Sequence, residues 1–163
     1  MKTLFIYYSN SGNGELVKEY YEKLGYDTRR VEPKKGLPKG MFFQMMVGGM
    51  LAGMNHKSKL KEFNYDISEY GEIVIGSPIW NGRLACPINT VLNNINLDNK
   101  KVTFVLYSGG GSAPKAVKKI NKKYNAKIIE IQQPKKYPEN INKLAEYVLW
   151  FSKGFFYYIY TKI

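Results

Sequence analysis

Two patterns of hydrophobic and polar residues alternate along this chain. Short runs are almost unbroken in apolar residues, and between them apolar residues recur every three or four positions. The first pattern suits a strand buried on both faces, the second a helix with one inner face. Residues 3–8, Thr3-Leu4-Phe5-Ile6-Tyr7-Tyr8, read as the first strand. Ser11-Gly12-Asn13 marks a helix start, and Glu15 suits the positive end of its dipole. Leu16, Val17, Tyr20, Tyr21 and Leu24 form its inner face, and Gly25 ends it. A weaker strand over 27–31 closes at Pro33. A strand over 72–76 is followed by a helix carrying Leu84, Ile88, Val91, Leu92 and Ile95, with Pro87 tolerated in its first turn. Residues 102–107 read as a strand, a lysine-rich helix begins near Ala113, and a further strand covers 126–131. Pro138-Glu139 opens a last helix with Ile141, Leu144, Ala145, Val148 and Leu149 inward. Five strands alternating with five helices predict an α/β fold around a parallel sheet with helices on both faces. Right-handed crossovers leave few topologies, and one of them, the doubly wound order 2-1-3-4-5, opens a crevice between strands one and three.

Two segments resist this pattern. Met41, Phe42, Phe43, Met45, Met46, Val47, Met50 and Leu51 argue for a helix apolar on most sides, while Gly48, Gly49 and Gly53 weaken it. Packing into the core is the favoured reading, and a wall beside a ligand site is the other. Residues 151–163 are rich in aromatic residues and extend past a domain over 1–150. This tail has three open readings: docking on a second subunit, lying on a membrane surface, or packing on its own domain.

Where three strands should end, the sequence turns glycine- and serine-rich. The first such stretch is Ser9-Asn10-Ser11-Gly12-Asn13-Gly14, the second Ser77-Pro78-Ile79-Trp80-Asn81-Gly82, and the third Ser108-Gly109-Gly110-Gly111-Ser112. Loops after the carboxyl ends of parallel strands form the ligand crevice of such sheets. The first stretch suits a phosphate, with serine and asparagine donors and glycines that let backbone N–H groups approach at a helix start. The second offers the flat face of Trp80 for stacking, and Asn81-Gly82, both tolerant of positive φ, for a peptide that changes orientation. The third offers bare backbone donors. A phosphate, a planar group and a polar ring edge together describe flavin mononucleotide (FMN). Each stretch also has a plainer reading: a strand-to-helix turn, a tryptophan packed on the next helix, and a loop with Ser112 capping a helix. Neither a Gly-Lys-Ser/Thr phosphate loop nor a Gly-x-Gly-x-x-Gly fingerprint is present.

Charge adds a further feature. The chain of 163 residues carries 25 lysines and arginines against 13 acidic residues, a formal charge of +12. Lys115, Lys118, Lys119, Lys122 and Lys123 fall on one helix face, opposite Ala116, Val117, Ile120 and Tyr124. That excess predicts attraction to an acidic partner, and the bland alternative is a solvated lysine-rich surface. The stripe lacks interleaved aromatics, which argues against nucleic acid. Cys86 is the single cysteine, so no internal disulfide forms; it reads as a buried, inert thiol. His56, the single histidine, reads as solvated. There are no paired carboxylates, no metal-ligand cluster and no nucleophile with its base in the sequence pattern. No charged-then-apolar leader is read at the start, and a cytoplasmic location is expected.

With these stretches in order, the chain resembles the bacterial flavodoxin-like family over nearly its whole length. Ser9 to Gly14 resembles the family's phosphate loop, Ser/Thr-x-Thr-Gly-Asn-Thr, with Gly14 in place of the final threonine. Gly76-Ser77-Pro78-Ile79-Trp80-Asn81-Gly82-Arg83 resembles its second signature, and Ser108 to Ser112 its third loop. The resemblance implies the order 2-1-3-4-5 with FMN at the switch point between strands one and three, as in flavodoxin itself. It implies that Ser9, Asn10, Ser11, Gly12, Asn13 and Gly14 hold the phosphate. Pro78, Ile79, Trp80, Asn81 and Gly82 would flank the ring, and Ser108, Gly109, Gly110, Gly111 and Ser112 its polar edge. The peptide at Asn81-Gly82 would turn its carbonyl towards the flavin on one-electron reduction. The implied role is a one-electron carrier between redox partners; an FMN-dependent NAD(P)H or quinone reductase is the alternative. Its excess of positive charge departs from the acidic flavodoxins, and a redox partner with an acidic docking surface is expected.

Overall fold

The computed structural model describes residues 1–35 and 58–145. In chain order these form β1 (Thr3–Tyr7), α1 (Asn13–Lys23), β2 (Asp27–Arg30), β3 (Glu72–Trp80), β4 (Arg83–Leu84), α2 (Cys86–Leu92), β5 (Lys101–Ser108), α3 (Pro114–Lys123) and β6 (Lys127–Gln132). A 3-10 turn at Pro138–Ile141 leads into helical residues 142–145. The five parallel strands run in the order β2-β1-β3-β5-β6, the expected doubly wound arrangement. A sixth strand, β4, was not expected; it pairs antiparallel with the end of β3.

The register explains why the central strands β1, β3 and β5 read as apolar runs. Leu4 pairs with Ile73 and Ile6 with Ile75, while Ile75 in turn pairs with Phe104. Alternate residues serve opposite faces of the sheet. Leu4, Ile6, Ile73, Ile75, Phe104 and Leu106 share one core with Ile88 and Val91 of α2 and Ala116 and Ile120 of α3. Phe5, Tyr7, Val74, Val105, Tyr107 and Ile131 share the other with Val17 and Tyr21 of α1 and with Leu144. Both faces of β1, β3 and β5 are covered, so these central strands carry few polar side chains, whereas the edge strand β2 is polar throughout. Each fully buried apolar side chain contributes about 1.5–3 kcal/mol relative to exposure.

Several expectations need correction. Leu24 does not complete the inner face of α1, since it is 40% exposed. The helix ends there because Gly25 takes φ +78, and its N–H donates to the Glu22 carbonyl at 2.9 Å. Leu84 belongs to β4 and not to the following helix. The third strand, expected over 72–76, continues to Trp80. Pro78 is tolerated in it because β1 pairs alongside only as far as Gly76, leaving that side of β3 an edge. Ser112 does not cap α3; Ala113 occupies that position, and its N–H donates to the Glu130 carboxylate. The Met- and Phe-rich stretch, His56, Val148, Leu149, Trp150 and the tail over 151–163 lie outside the described residues, as does the boundary at 150. No helix among the described residues is long and apolar enough to cross a membrane.

Candidate functional site

β1, β3 and β5 are neighbours in one parallel sheet, so their carboxyl ends face the same edge. All three singled-out stretches lie there. The residues that lead into them are joined: the Tyr8 N–H donates to the Gly76 carbonyl at 3.1 Å, and the Tyr107 hydroxyl donates to the Tyr8 carbonyl. Trp80 packs edge-on against Tyr8, with ring centroids 5.6 Å apart.

The first turn folds around Ser9, which is buried and whose Oγ accepts from the Gly14 N–H at 3.1 Å. A hydroxyl that accepts one bond still has its proton to donate. Gly12 takes φ +87 as the residue preceding α1, so the turn ends at the positive pole of an eleven-residue helix. Asn13 clips the turn together: its Nδ2 donates to Ser11 Oγ at 2.9 Å, and its Oδ1 accepts from the Lys135 N–H at 3.0 Å. Asn10 and Ser11 are exposed at the rim. Gly14 is glycine for a local reason. A Cβ there would stand 2.8 Å from Tyr107 Oη, 2.9 Å from Ser9 Cβ and 3.1 Å from Tyr7 Cδ2. Tyrosines occupy the space beneath the turn that a threonine would need.

The second stretch is a hairpin and not a loop. Pro78, Ile79 and Trp80 are the last residues of β3, and Trp80 pairs with Arg83 across a two-residue turn. Asn81 at φ +48 and Gly82 at φ +69 supply the two positive torsions that such a turn demands. Ser77, fully buried, braces it: its Oγ accepts from the Ala85 N–H at 3.1 Å and donates to the Pro78 carbonyl at 2.9 Å. Trp80 is half-buried, held by Tyr8 at one edge while part of its surface stays open. Asn81 is exposed at the tip.

The third stretch begins inside β5, whose last residue is Ser108; its Oγ donates to the Ser112 carbonyl at 3.3 Å. Gly109 and Gly110 are exposed, and a Cβ on Gly110 would meet nothing within 4 Å. Their backbone is therefore approachable. Gly111, at φ +75, turns the chain towards α3 against Gln132. The Lys115 side chain then crosses to the hairpin tip, its Cδ 3.1 Å from where a Gly82 Cβ would stand.

Electrostatics at this edge favour an anion. Glu15, the acidic residue in the first turn of α1, accepts from Tyr7 Oη at 2.8 Å and lies 3.1 Å from Arg30. Burial keeps the phenols below the turn neutral. It pushes Tyr8 up to about 12 and Tyr107 well above the usual tyrosine range. Tyr7 rises as well, through burial and then through its bond to Glu15. Cys86 opens α2, is buried as expected, and burial raises its thiol too, so it stays protonated. Beyond the hairpin, Arg83, Lys119 and Lys123 rim a cavity of about 110 Å³ floored by Leu84, Leu92, Ala116, Ile120 and Tyr124. All five lysines of the α3 stripe are exposed. Among the described residues no group of three histidine, cysteine, aspartate or glutamate side chains is placed to hold a metal ion.

Three residues escaped the sequence reading: Tyr107, which fills the space beneath Gly14; Glu130, which caps α3 from β6; and Lys135, which reaches the first turn from beyond β6. Only Tyr107 carried a signal, because a polar-tipped residue ending a buried strand needs a partner at that edge.

Comparison with known proteins bears on this arrangement. The family model described as Flavodoxin matches residues 2–151. Comparison with curated protein sequences gives no match. Among solved structures, a flavoprotein from Lactobacillus acidophilus NCFM, crystallised in complex with FMN, is 22% identical with a TM-score of 0.64; the match covers 85% of this chain and 97% of that one. A candidate flavoprotein from Bacteroides eggerthii DSM 20697 is 23% identical with a TM-score of 0.66, covering 79% of this chain and 86% of that one. A candidate quinone reductase from Klebsiella pneumoniae is 10% identical with a TM-score of 0.52, covering 91% and 84%. The similar structures share the fold, and the family match spans most of the sequence: the chain belongs to the flavodoxin family.

Proposed function

We propose that this chain binds FMN at the carboxyl edge of β1, β3 and β5 and works as a one-electron carrier between larger redox proteins. The observation that carries the reading is the meeting of three differently equipped turns at one sheet edge. A serine- and glycine-rich turn at the positive end of α1, an approachable glycine backbone and a braced tryptophan suit a phosphate, a polar ring edge and a ring face. The residues present fit the group. Ser9, Asn10, Ser11, Gly12, Asn13 and Gly14 would surround the phosphate. Pro78, Ile79, Trp80, Asn81 and Gly82 would border the ring, and Ser108, Gly109, Gly110, Gly111 and Ser112 its pyrimidine side.

FMN supplies the redox chemistry when bound. The chain's own part is to hold and tune. The α1 N-terminus and the serine hydroxyls orient a dianion. Trp80, fixed at its edge by Tyr8, offers an aromatic face and keeps water from it. The neutral phenols of Tyr7, Tyr8 and Tyr107 add no negative charge beneath the turn. The partner we propose has an acidic docking surface that meets the face formed by Arg83, one residue past the hairpin tip, and by Lys119 and Lys123 of α3. The likeness in fold to a candidate quinone reductase supports a second reading, an FMN-dependent reductase of a small substrate.

One preparation separates these readings. Purified full-length protein, loaded with FMN, is titrated anaerobically with NADH, NADPH and dithionite while its absorbance is followed. The carrier reading expects flavin bands that bleach with dithionite in two stages and respond to neither nicotinamide at a useful rate. Rapid bleaching by NADH or NADPH would establish the reductase instead. A protein that takes up no FMN would remove both.

A further inference from the structure

We propose that Lys135 is the cation that grips the FMN phosphate, and that through it the chain distinguishes FMN from riboflavin. This rests on the FMN reading above and extends it to a residue outside the three turns. The Lys135 backbone is fixed: its N–H donates to Asn13 Oδ1 at 3.0 Å, across 122 positions of sequence. Its side chain lies over the first turn, with Cδ and Nζ each 3.5 Å from where a Gly12 Cβ would stand. Gly12 immediately precedes α1. Lys135 is solvent-exposed, so an ammonium group at the positive pole of a helix is disfavoured there only mildly, and an anion between the two would turn that repulsion into attraction on both sides. Among the described residues no carboxylate forms an ion pair with Lys135; Glu15, the acidic residue in the first turn of α1, is held by Tyr7 and Arg30. The two positive groups therefore converge on one place that a phosphate would neutralise.

Gly14 gives the arrangement its reason. The tyrosines beneath the turn leave no room for a Cβ there, so the turn lacks the last side-chain hydroxyl of the family pattern. Lys135 replaces a neutral donor from below with a charged donor from above, and hydrogen bonds to charged groups are the stronger kind. A cation would also make phosphate binding sensitive to salt, while the ring contacts at Trp80 and the glycine loop would stay insensitive.

The test uses full-length apoprotein titrated with FMN and with riboflavin, followed by quenching of flavin fluorescence at low and high salt. The variants are Lys135→Gln and Lys136→Gln. The second removes the same charge one residue along, where Nζ lies 5.3 Å from the Tyr137 ring centre. Lys135→Gln is expected to weaken FMN binding by about tenfold at low salt, to leave riboflavin within about twofold, and to flatten the salt dependence for FMN. Lys136→Gln is expected to change neither. Equal losses for both flavins, no loss for FMN, or an equal effect of Lys136→Gln would overturn the inference while leaving FMN binding intact. A wild-type chain that binds neither flavin would overturn the FMN reading itself, and this inference with it.

Discussion

Gly14 carries more information than its lack of a side chain suggests. In a helix, glycine is worse than alanine by about 1 kcal/mol, so Gly14→Ala should stabilise α1 on propensity alone. The packing predicts the reverse, since a new Cβ would press on Tyr107 Oη, Ser9 Cβ and Tyr7 Cδ2 at 2.8, 2.9 and 3.1 Å. Overpacking of this kind costs about 1–3 kcal/mol, and we expect urea denaturation to show a net loss for Gly14→Ala. Removing the nearest atom with Tyr107→Phe should then relieve part of that loss, giving a coupling of roughly 0.5 kcal/mol or more in a double-mutant cycle. Additive costs would show that the tyrosine does not set the residue at 14. Nothing in the sequence order connects positions 14 and 107; the link exists only because β1 and β5 flank β3. The serines, glycines and Trp80 were legible because turn chemistry and ring faces are properties of single residues. Lys135 was not legible, because its role comes from a backbone bond to Asn13 far earlier in the chain.

At the level of elements, the apolar runs gave the central strands β1, β3 and β5, since a strand buried on both sides leaves an unmistakable composition. The polar edge strand β2 was legible only weakly, and the order followed from crossover handedness and the family resemblance. The same logic failed at the end of β3. Gly76, Ser77 and Pro78 look like breakers, yet the strand continues because its β1 neighbour has already ended. Asn81-Gly82 was read for its torsional tolerance, whereas flanked by Trp80 and Arg83 it signals a two-residue hairpin. The hairpin predicts a contrast between two glycines. Gly82→Ala places a Cβ at φ +69 and against Lys115, and should cost about 1–2 kcal/mol of stability. Gly110→Ala meets open space and should change stability by no more than about 0.5 kcal/mol. Chemical denaturation of the two variants checks this, and equal costs would mean that the tip is not held as a hairpin.

For the whole molecule, the buried phenols predict how the fold responds to alkali. The folded-state values of Tyr7, Tyr8 and Tyr107 lie above the ordinary tyrosine value of 10.0. Each therefore holds its proton more tightly when folded. Their contribution is fully present below pH about 10 and is lost as pH rises from there through the folded values, Tyr8 near 12. The urea midpoint should accordingly hold between neutrality and about pH 10 and fall above it. Tyr8→Phe should make that fall shallower than in the wild type, with the lysines common to both. Identical alkaline profiles would show that the phenol is solvated. Charge was also read from the sequence, but its distribution was not: the lysine stripe was visible as a helix face, whereas its adjacency to Arg83 depended on β4 folding back beside α3.

The clip between Asn13 and Lys135 has a consequence for the order of events in the cell. Synthesis proceeds from the amino end, so β1 and the first turn leave the ribosome long before residue 135 exists. Until that late segment arrives, the turn lacks its Asn13 partner, and the sheet lacks the strands that support Tyr107 under Gly14. A chain that has not yet reached residue 135 therefore presents this turn without its clip. Flavin held at this turn would accordingly gain its full grip only after the late segment has docked beside Asn13.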